Sequence, residues 1–161
     1  QGIRHIGGSG VGGGTVLGLC GQLCNARSFD TVVEMAHEGD LKKVDLHISD
    51  ISTGEISTLA PEVTASNFGK MSDGFSEKDL ARGVLNMVFQ TIGMLAVFAC
   101  RNDDVKDVIL TGTLSTVPCA KTLFKQVERL YKIKFIIPEH SIYATATGAA
   151  LSYIYQNGKK K

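Results

Sequence analysis

The sequence predicts an α/β fold, on three observations. Past residue 76 the hydrophobic period switches repeatedly, giving the order helix, strand, helix, strand, helix. Glycine-rich turns stand at two junctions between elements, residues 7–14 (GGSGVGGG) and residues 110–114 (LTGTL). The stretch 77–100 carries an apolar stripe so wide that it belongs in the interior.

Taken in order, residues 7–14 hold six of the 18 glycines and feed a helix on which Val16, Leu17, Leu19, Cys20 and Leu23 share a face. A second helix is predicted over residues 28–37, with Ser28 or Asp30 as N-cap and Gly39 as its stop. Residues 44–51 are open between two readings: Val44, Leu46 and Ile48 alternate as in a strand, yet Ile51 suits a short helix. Residues 52–61 read as a polar loop. Ser76 and Asp79 form a capping box for the helix over 77–100, along which Ala81, Val84, Leu85, Val88, Phe89, Ile92, Leu95, Ala96 and Ala99 recur at helical spacing. After a turn at 101–104, residues 105–111 read as a central strand ending at Gly112. Thr116 is expected to cap a helix through Tyr131, residues 133–137 make a second strand, and residues 144–155 a last helix with Gly148 inside it. The basic tail, 158–161, reads as frayed and solvated.

Composition narrows the function. Among 161 residues, 17 Lys plus Arg face 16 Asp plus Glu, a net charge of +1, which is no electrostatic trap for nucleic acid. Hydrophobic residues make up 43% and charged residues 20%, as in a globular core. Apolar runs such as 84–97 are broken before the roughly 20 residues needed to span a bilayer, and no signal peptide opens the chain. These features predict one soluble, cytoplasmic domain over residues 1–157 with no membrane partner. Cys20, Cys24, Cys100 and Cys119 match neither a zinc ribbon nor a redox C-x-x-C, so reduced, mostly buried thiols are expected. The chain starts at Gln1 and is in its glycine motif within a few residues, so something is expected to precede it.

Adjacent glycines remove Cβ atoms and let backbone amides approach a phosphate, while the following helix adds its positive end. The alternative is a tight turn between packed elements. No G-K-[ST] follows Gly14, which excludes a Walker loop. Gly8, Gly10 and Gly13 do show G-x-G-x-x-G spacing, but only residues 3–6 could be the required strand and only Asp30 the acidic partner. In LTGTL, Gly112 and the hydroxyl of Thr113 stand at a strand end, where α/β sheets bind ligands; an ordinary β-to-α turn is the alternative. Two such turns together favour a nucleotide. His5, His37, His47 and His140 show no metal spacing. Ser66 and Asn67 fit either a turn or a pocket, and no spacing singles out Asp40 or Asp45 as a base.

The motifs GGSGVGGGTVLGLC, EMAHEGD, VDLHISDI, TASNFGKM, SEKDLARGVLNMV, VILTGTL, PEH and ATGAALSY, in this order over residues 4–153, resemble the type II pantothenate kinases of the eukaryotic and staphylococcal kind. The resemblance implies a ribonuclease H-like, actin-like ATPase fold, that of the acetate and sugar kinase, Hsp70 and actin superfamily. ATP with Mg²⁺ would lie in a cleft between two lobes, and pantothenate would become 4′-phosphopantothenate in the first step of coenzyme A synthesis. Only the second, C-terminal nucleotide-binding lobe is matched. The family's D-x-G-G-T loop, its general-base Glu and its G-T-G-[TS]-S turn belong to an N-terminal lobe that this chain does not contain, so the chain alone is expected to be inactive. By the same resemblance, Gly13, Gly14, Thr15, Val16 and Leu17 contact the nucleotide, with Gly12 adding an amide, and Phe29 and Thr113 are further contacts. The family's pantothenate-binding Arg is replaced by His5, with Arg4 one position earlier. The helix from Glu77 would lie near a homodimer contact. A non-catalytic subunit that binds a nucleotide or coenzyme A is a competing reading, and a dinucleotide-dependent oxidoreductase a third.

Overall fold

The computed structural model describes residues 3–52, 59–70, 74–101 and 103–158. The chain divides into two compact units, Gln1–Leu95 and Ala96–Lys161. Each mixes helices with strands, so the predicted α/β class holds. Parts of the predicted loop at 52–61, the turn at 101–104 and the tail at 158–161 lie outside the described residues.

In the first unit, α1 (Gly13–Leu23) buries Val16 and Cys20, and α2 (Phe29–Glu38) buries Val32 and Ala36. Ser28 is the N-cap of α2, its hydroxyl accepting from the Thr31 amide at 3.1 Å; Asp30 is merely in the first turn. Gly39 does end α2, but its φ of −76° is open to any residue. It is needed instead because a Cβ there would run into the Lys78 carbonyl. The ambiguous segment proves to be both things: β1 (Leu46–His47) passes directly into the single turn α3 (Ile48–Ile51). A strand absent from the prediction, β2 (Thr64–Ser66), pairs antiparallel with β1, with Leu46 opposite Ser66 and His47 opposite Thr64.

The helix α4 (Glu77–Arg101) starts at the predicted capping box, with the Ser76 amide 2.7 Å from Asp79 Oδ2. Ala81, Val84, Leu85, Val88 and Phe89 are buried along it. Its 25 residues are long and apolar enough to cross a membrane, contrary to the expectation that every apolar run is too short. Half of that window is nonetheless buried within the protein. Gly83 lets α4 approach closely, since a Cβ there would sit 2.9 Å from the Phe68 ring and 3.1 Å from Val44.

In the second unit, β3 (Asp107–Ile109) and β4 (Lys134–Ile136) pair in parallel, Val108 opposite Phe135, with α5 (Pro118–Tyr131) between them in sequence. Val97, Cys100, Val127 and Ile133 form the core, with Val108, Tyr131 and Phe135 against it. Phe124 and Phe135 stack at 4.7 Å, and the Arg101 guanidinium lies 5.6 Å from the Phe98 ring and 5.7 Å from Tyr131. The last helix, α6 (Ala144–Gly158), has no buried residue. Two expectations are corrected here. The strand at 105–111 is shorter than predicted and, among the described residues, pairs with β4 alone, leaving Ile109 65% exposed. Its apolar run marks a strand suited to burial on both faces, a burial that requires layers on each side. Thr116 does not cap α5: it closes a 3₁₀ turn over Thr113–Thr116, its hydroxyl on the Thr113 carbonyl at 2.8 Å, and Pro118 begins the helix.

Asp79 links the start of α4 to the loop after α2. Burial raises its pKa, but the Asp40 amide at 2.7 Å, the Ser76 amide and hydroxyl, and Lys43 at 3.5 Å together outweigh burial and bring it down to about 2. A carboxylate depressed in the folded state contributes stability that is complete above its unfolded pKa and lost as pH falls through its folded one. For Asp79 that contribution is about 2 kcal/mol, fading between roughly pH 5 and pH 2. Asp79→Asn should lower Tm at neutral pH and reduce the further drop in Tm on acidification to pH 2. An acid-induced drop equal to that of the parent protein would show that Asp79 is not part of the acid transition.

Candidate functional site

The glycine segment leads into α1 without itself being regular structure. Residues 3–10 are exposed, and residues 3–6 form no strand, with Ile3 fully exposed. This removes the strand on which a dinucleotide-binding turn depends: residues 3–6 take part in neither described sheet.

What the glycines are for can be read from what surrounds them. A Cβ added at Gly7, Gly8, Gly10, Gly12 or Gly14 would meet nothing within 4 Å, and none of the five has a positive φ. Gly12, the N-cap of α1, is extended at φ −175°. Neither backbone strain nor internal packing therefore requires glycine at these five positions, and the space beside them is open. The first turn of α1 contains no acidic residue, and Gly12 has no side chain with which to cap its amides. A helix start with this composition presents N–H groups and the positive end of the helix dipole to an incoming anion.

Thr15 shapes the turn. Its hydroxyl accepts from the Gly12 amide at 3.1 Å and donates to the Gly10 carbonyl at 2.8 Å, lacing the loop onto the first turn. Val16 is fully buried, so its side chain anchors α1 in the core and only its backbone faces the turn. Gly14 and Leu17 are exposed, and Gly13 begins the helix. Phe29 is the half-buried first residue of α2, which packs on α1. Arg4 and His5 lie in the exposed extended segment.

The second unit carries the other glycine turn. Gly112 has φ +95°, so here glycine is demanded by the backbone itself. Thr113, exposed, follows it. The turns after β3 and β4 border a groove of about 680 Å³ whose lining includes Ser115, Pro118, Lys121, Pro138, His140 and Ser141. Beneath it the Ser115 and Ser141 hydroxyls meet at 2.7 Å.

The remaining polar candidates have structural employment. Asp45, with no accessible surface, accepts from the Asn86 amide at 2.7 Å, the Phe68 backbone at 2.9 Å, Thr64 at 3.2 Å and Asn67 at 3.3 Å. Asp40 caps the 3₁₀ turn Leu41–Lys43 through the Lys42 amide at 3.0 Å. All four cysteines are free thiols, as expected; burial, with the neighbouring Cys24, pushes the Cys20 thiol up to about 12, which makes it inert. His47 is buried, and His5, His37 and His140 are exposed. Among the described residues no group of three or more His, Cys, Asp or Glu could hold a metal ion. Two hydrogen-bonding features escaped the sequence reading, which named Thr15 only as a nucleotide contact. Thr15 follows Gly12 at capping-box spacing, a signal that was present; the Ser115–Ser141 pair spans 26 residues and leaves no local trace.

An α/β chain with an open glycine turn at a helix start has the local features that suit an anion. The comparisons narrow that description. The Fumble family model matches residues 1–152, and the chain belongs to that family. It is 30% identical to pantothenate kinase 1 of Arabidopsis thaliana over 93% of this chain and 43% of that protein. It is 31% identical to a 4′-phosphopantetheine phosphatase of Mus musculus over 92% of this chain and 19% of that protein. It is 31% identical to a type II pantothenate kinase of Bacillus cereus over 68% of this chain and 41% of that protein. The chain thus spans less than half the length of these relatives.

Thr15→Val removes both laces from the loop while preserving side-chain volume. It should speed hydrogen exchange at the Gly12 amide at least about 5-fold, the loss of roughly 1 kcal/mol of local stability, whereas Thr15→Ser should keep it slow. Unchanged exchange in the valine variant would mean that the hydroxyl does not order the turn.

Proposed function

We propose that this chain acts as the nucleotide-holding lobe of a type II pantothenate kinase with an actin-like ATPase fold. The carrying observation is that five glycines, Gly7, Gly8, Gly10, Gly12 and Gly14, have open space where a Cβ would stand and no conformational need to be glycine. Such a surface suits a polyanion brought against backbone amides. On this reading the phosphates of ATP lie against Gly12, Gly13, Gly14 and Thr15. The nucleoside uses Phe29 and the exposed turn at Thr113, and pantothenate is approached by His5 and Arg4.

Phosphoryl transfer suits a lobe of this kind, because it asks the protein mainly for positioning and charge stabilisation rather than covalent chemistry. The chain contributes oriented N–H groups, the positive end of α1, and a turn held in shape by Thr15. Mg²⁺ would travel with the triphosphate; no step is assigned to it, since the described residues offer no ligand cluster. No residue of this chain is assigned the base that takes the pantothenate hydroxyl proton. Homodimer formation through α4 belongs to the same reading, supported by Leu95 and Phe98 lying exposed one turn apart on α4, and a cytoplasmic location goes with it.

A second reading draws on the mouse relative, named for a phosphatase reaction, in which a stretch similar to this chain makes up 19% of the protein. A nucleotide- or coenzyme A-binding lobe without kinase activity would fit there. A radiochemical assay separates the two: transfer of labelled phosphate from ATP to pantothenate by the natural protein supports the kinase, and nucleotide binding without transfer supports the second.

Gly14→Asp tests the phosphate cradle by setting stability against binding. Replacing an exposed helical glycine, and placing a carboxylate in a first helical turn, each stabilise, together by about 1 kcal/mol. The same carboxylate opposes a phosphate, so ATP affinity should fall at least about 10-fold while Tm rises. Undiminished ATP affinity in the stabilised variant would remove this turn from the site.

A further inference from the structure

We infer that the buried Ser115–Ser141 hydroxyl pair is a positioning device that fixes the Gly112–Thr113 turn for a nucleotide, an inference that rests on reading Thr113 as a nucleotide contact. Left to itself the turn would be loose, since Gly112 at φ +95° occupies a region open chiefly to glycine and Thr113 is exposed. Both backbone groups of Gly112 are nonetheless tied. Its N–H donates to the Ser141 carbonyl at 3.0 Å, and its carbonyl accepts from the Ser115 amide at 3.0 Å and from the Ser115 hydroxyl at 2.7 Å.

The direction of the hydroxyl contact follows from proton counting. Ser115 has one hydroxyl proton and gives it to Gly112, so Ser141 donates in the 2.7 Å contact between the two side chains. The result is a relay from Ser141 to Ser115 to the Gly112 carbonyl, with both serines at or below 5% exposure. Each bond in such a chain polarises the next, and low surrounding dielectric strengthens all of them. It joins the turn after β4 to the turn after β3, the two turns that border the groove.

The core of this unit does not depend on the relay. β4 and α5 are held by Phe124 on Phe135 and by Val127 and Ile133 in the apolar cluster. What the relay fixes is the conformation of the backbone at Gly112 and the exposed Thr113, next in sequence to the groove-lining Ser115. A binding surface held within about half an ångström of its productive geometry gains affinity by avoiding the cost of ordering on binding.

The test uses the natural protein and its Ser115→Ala, Ser141→Ala and Ser141→Thr variants. Binding of the fluorescent nucleotide mant-ATP, calorimetric binding of pantothenate, and Tm are measured on the same samples. Loss of Ser115 breaks two links, and its mant-ATP Kd should rise about 10-fold; loss of Ser141 breaks one, for a rise of about 3-fold. Ser141→Thr keeps the hydroxyl and should bind as the parent does. Pantothenate affinity should not move, a split that a general loosening of the fold would not give. If Ser115→Ala fails to fold, Ser141→Ala decides alone. A parent protein that binds mant-ATP while the alanine variants bind it equally well overturns the positioning role by itself, as does an equal loss of pantothenate affinity. A parent protein that binds no mant-ATP overturns the nucleotide reading and this inference with it.

Discussion

The first unit is built around a carboxylate that has no water to turn to. Asp45 has zero accessible surface and, among the described residues, accepts from Thr64, Asn67, the Phe68 amide and Asn86. A buried carboxyl group is tolerated only when its oxygens find hydrogen-bond donors. Supplying those donors brings together β2, the turn after it and the middle of α4. The strand pair of β1 and β2 is too short to be stable alone, and this network anchors it to the long helix. The start of that helix is fixed by a second acid, Asp79, so two carboxylates set the depth and the register of α4. Upstream, α1 packs on α2, and α2 is tied to α4 at Gly39, so the glycine turn rests on a scaffold whose polar interior is satisfied.

Glycine serves three separate purposes in this chain, and the distinction carries the functional argument. Gly39, Gly69 and Gly83 are packed so tightly that a Cβ would collide with a neighbour. Gly74 and Gly112 have positive φ. The glycines at 7, 8, 10, 12 and 14 answer to neither need, as do the scattered Gly18, Gly148 and Gly158; what sets the five apart is that they are gathered in one segment. On the proposed reading, glycines gathered in one open segment leave its backbone accessible to a ligand.

Local signals in the sequence were legible and long-range ones were not. The caps at Ser28, Ser76 and Asp79, the stripe of α4 from Ala81 to Phe89, and the glycine turn feeding α1 all depend on residues within one or two helical turns, and each stands where the sequence placed it, whereas Leu95, expected on the same stripe, is exposed. The short strand Thr64–Ser66 was missed because only its partner β1 and the hidden Asp45 make it a strand. Thr116 was misplaced as a cap because Gly112, its turn reinforced by Ser141 from beyond β4, winds the chain into a 3₁₀ turn first. Gly39 was correctly placed as a stop for the wrong reason, since the carbonyl it must avoid belongs to Lys78. The nucleotide-contact residues came from family resemblance, and geometry then divides them. Gly12, Gly14, Leu17 and Thr113 are at least partly accessible, whereas Val16 has only its backbone to offer.

Net charge sharpens the reading of the site. With 17 cationic and 16 anionic side chains the chain has no overall field to gather a polyanion, and the glycine segment contains no Lys or Arg. On the proposed reading, attraction for a phosphate would be local, arising from first-turn amides and the roughly half-charge at the start of α1. Amides act over hydrogen-bond distances, so they discriminate by shape and approach, and a side chain at the turn would deny both. This explains why such a site is written in glycine rather than in basic residues. It also explains why Thr15 is so placed: its hydroxyl satisfies the Gly12 amide and ties Gly10, ordering the turn while the amides of the following residues stay directed outward from the helix start.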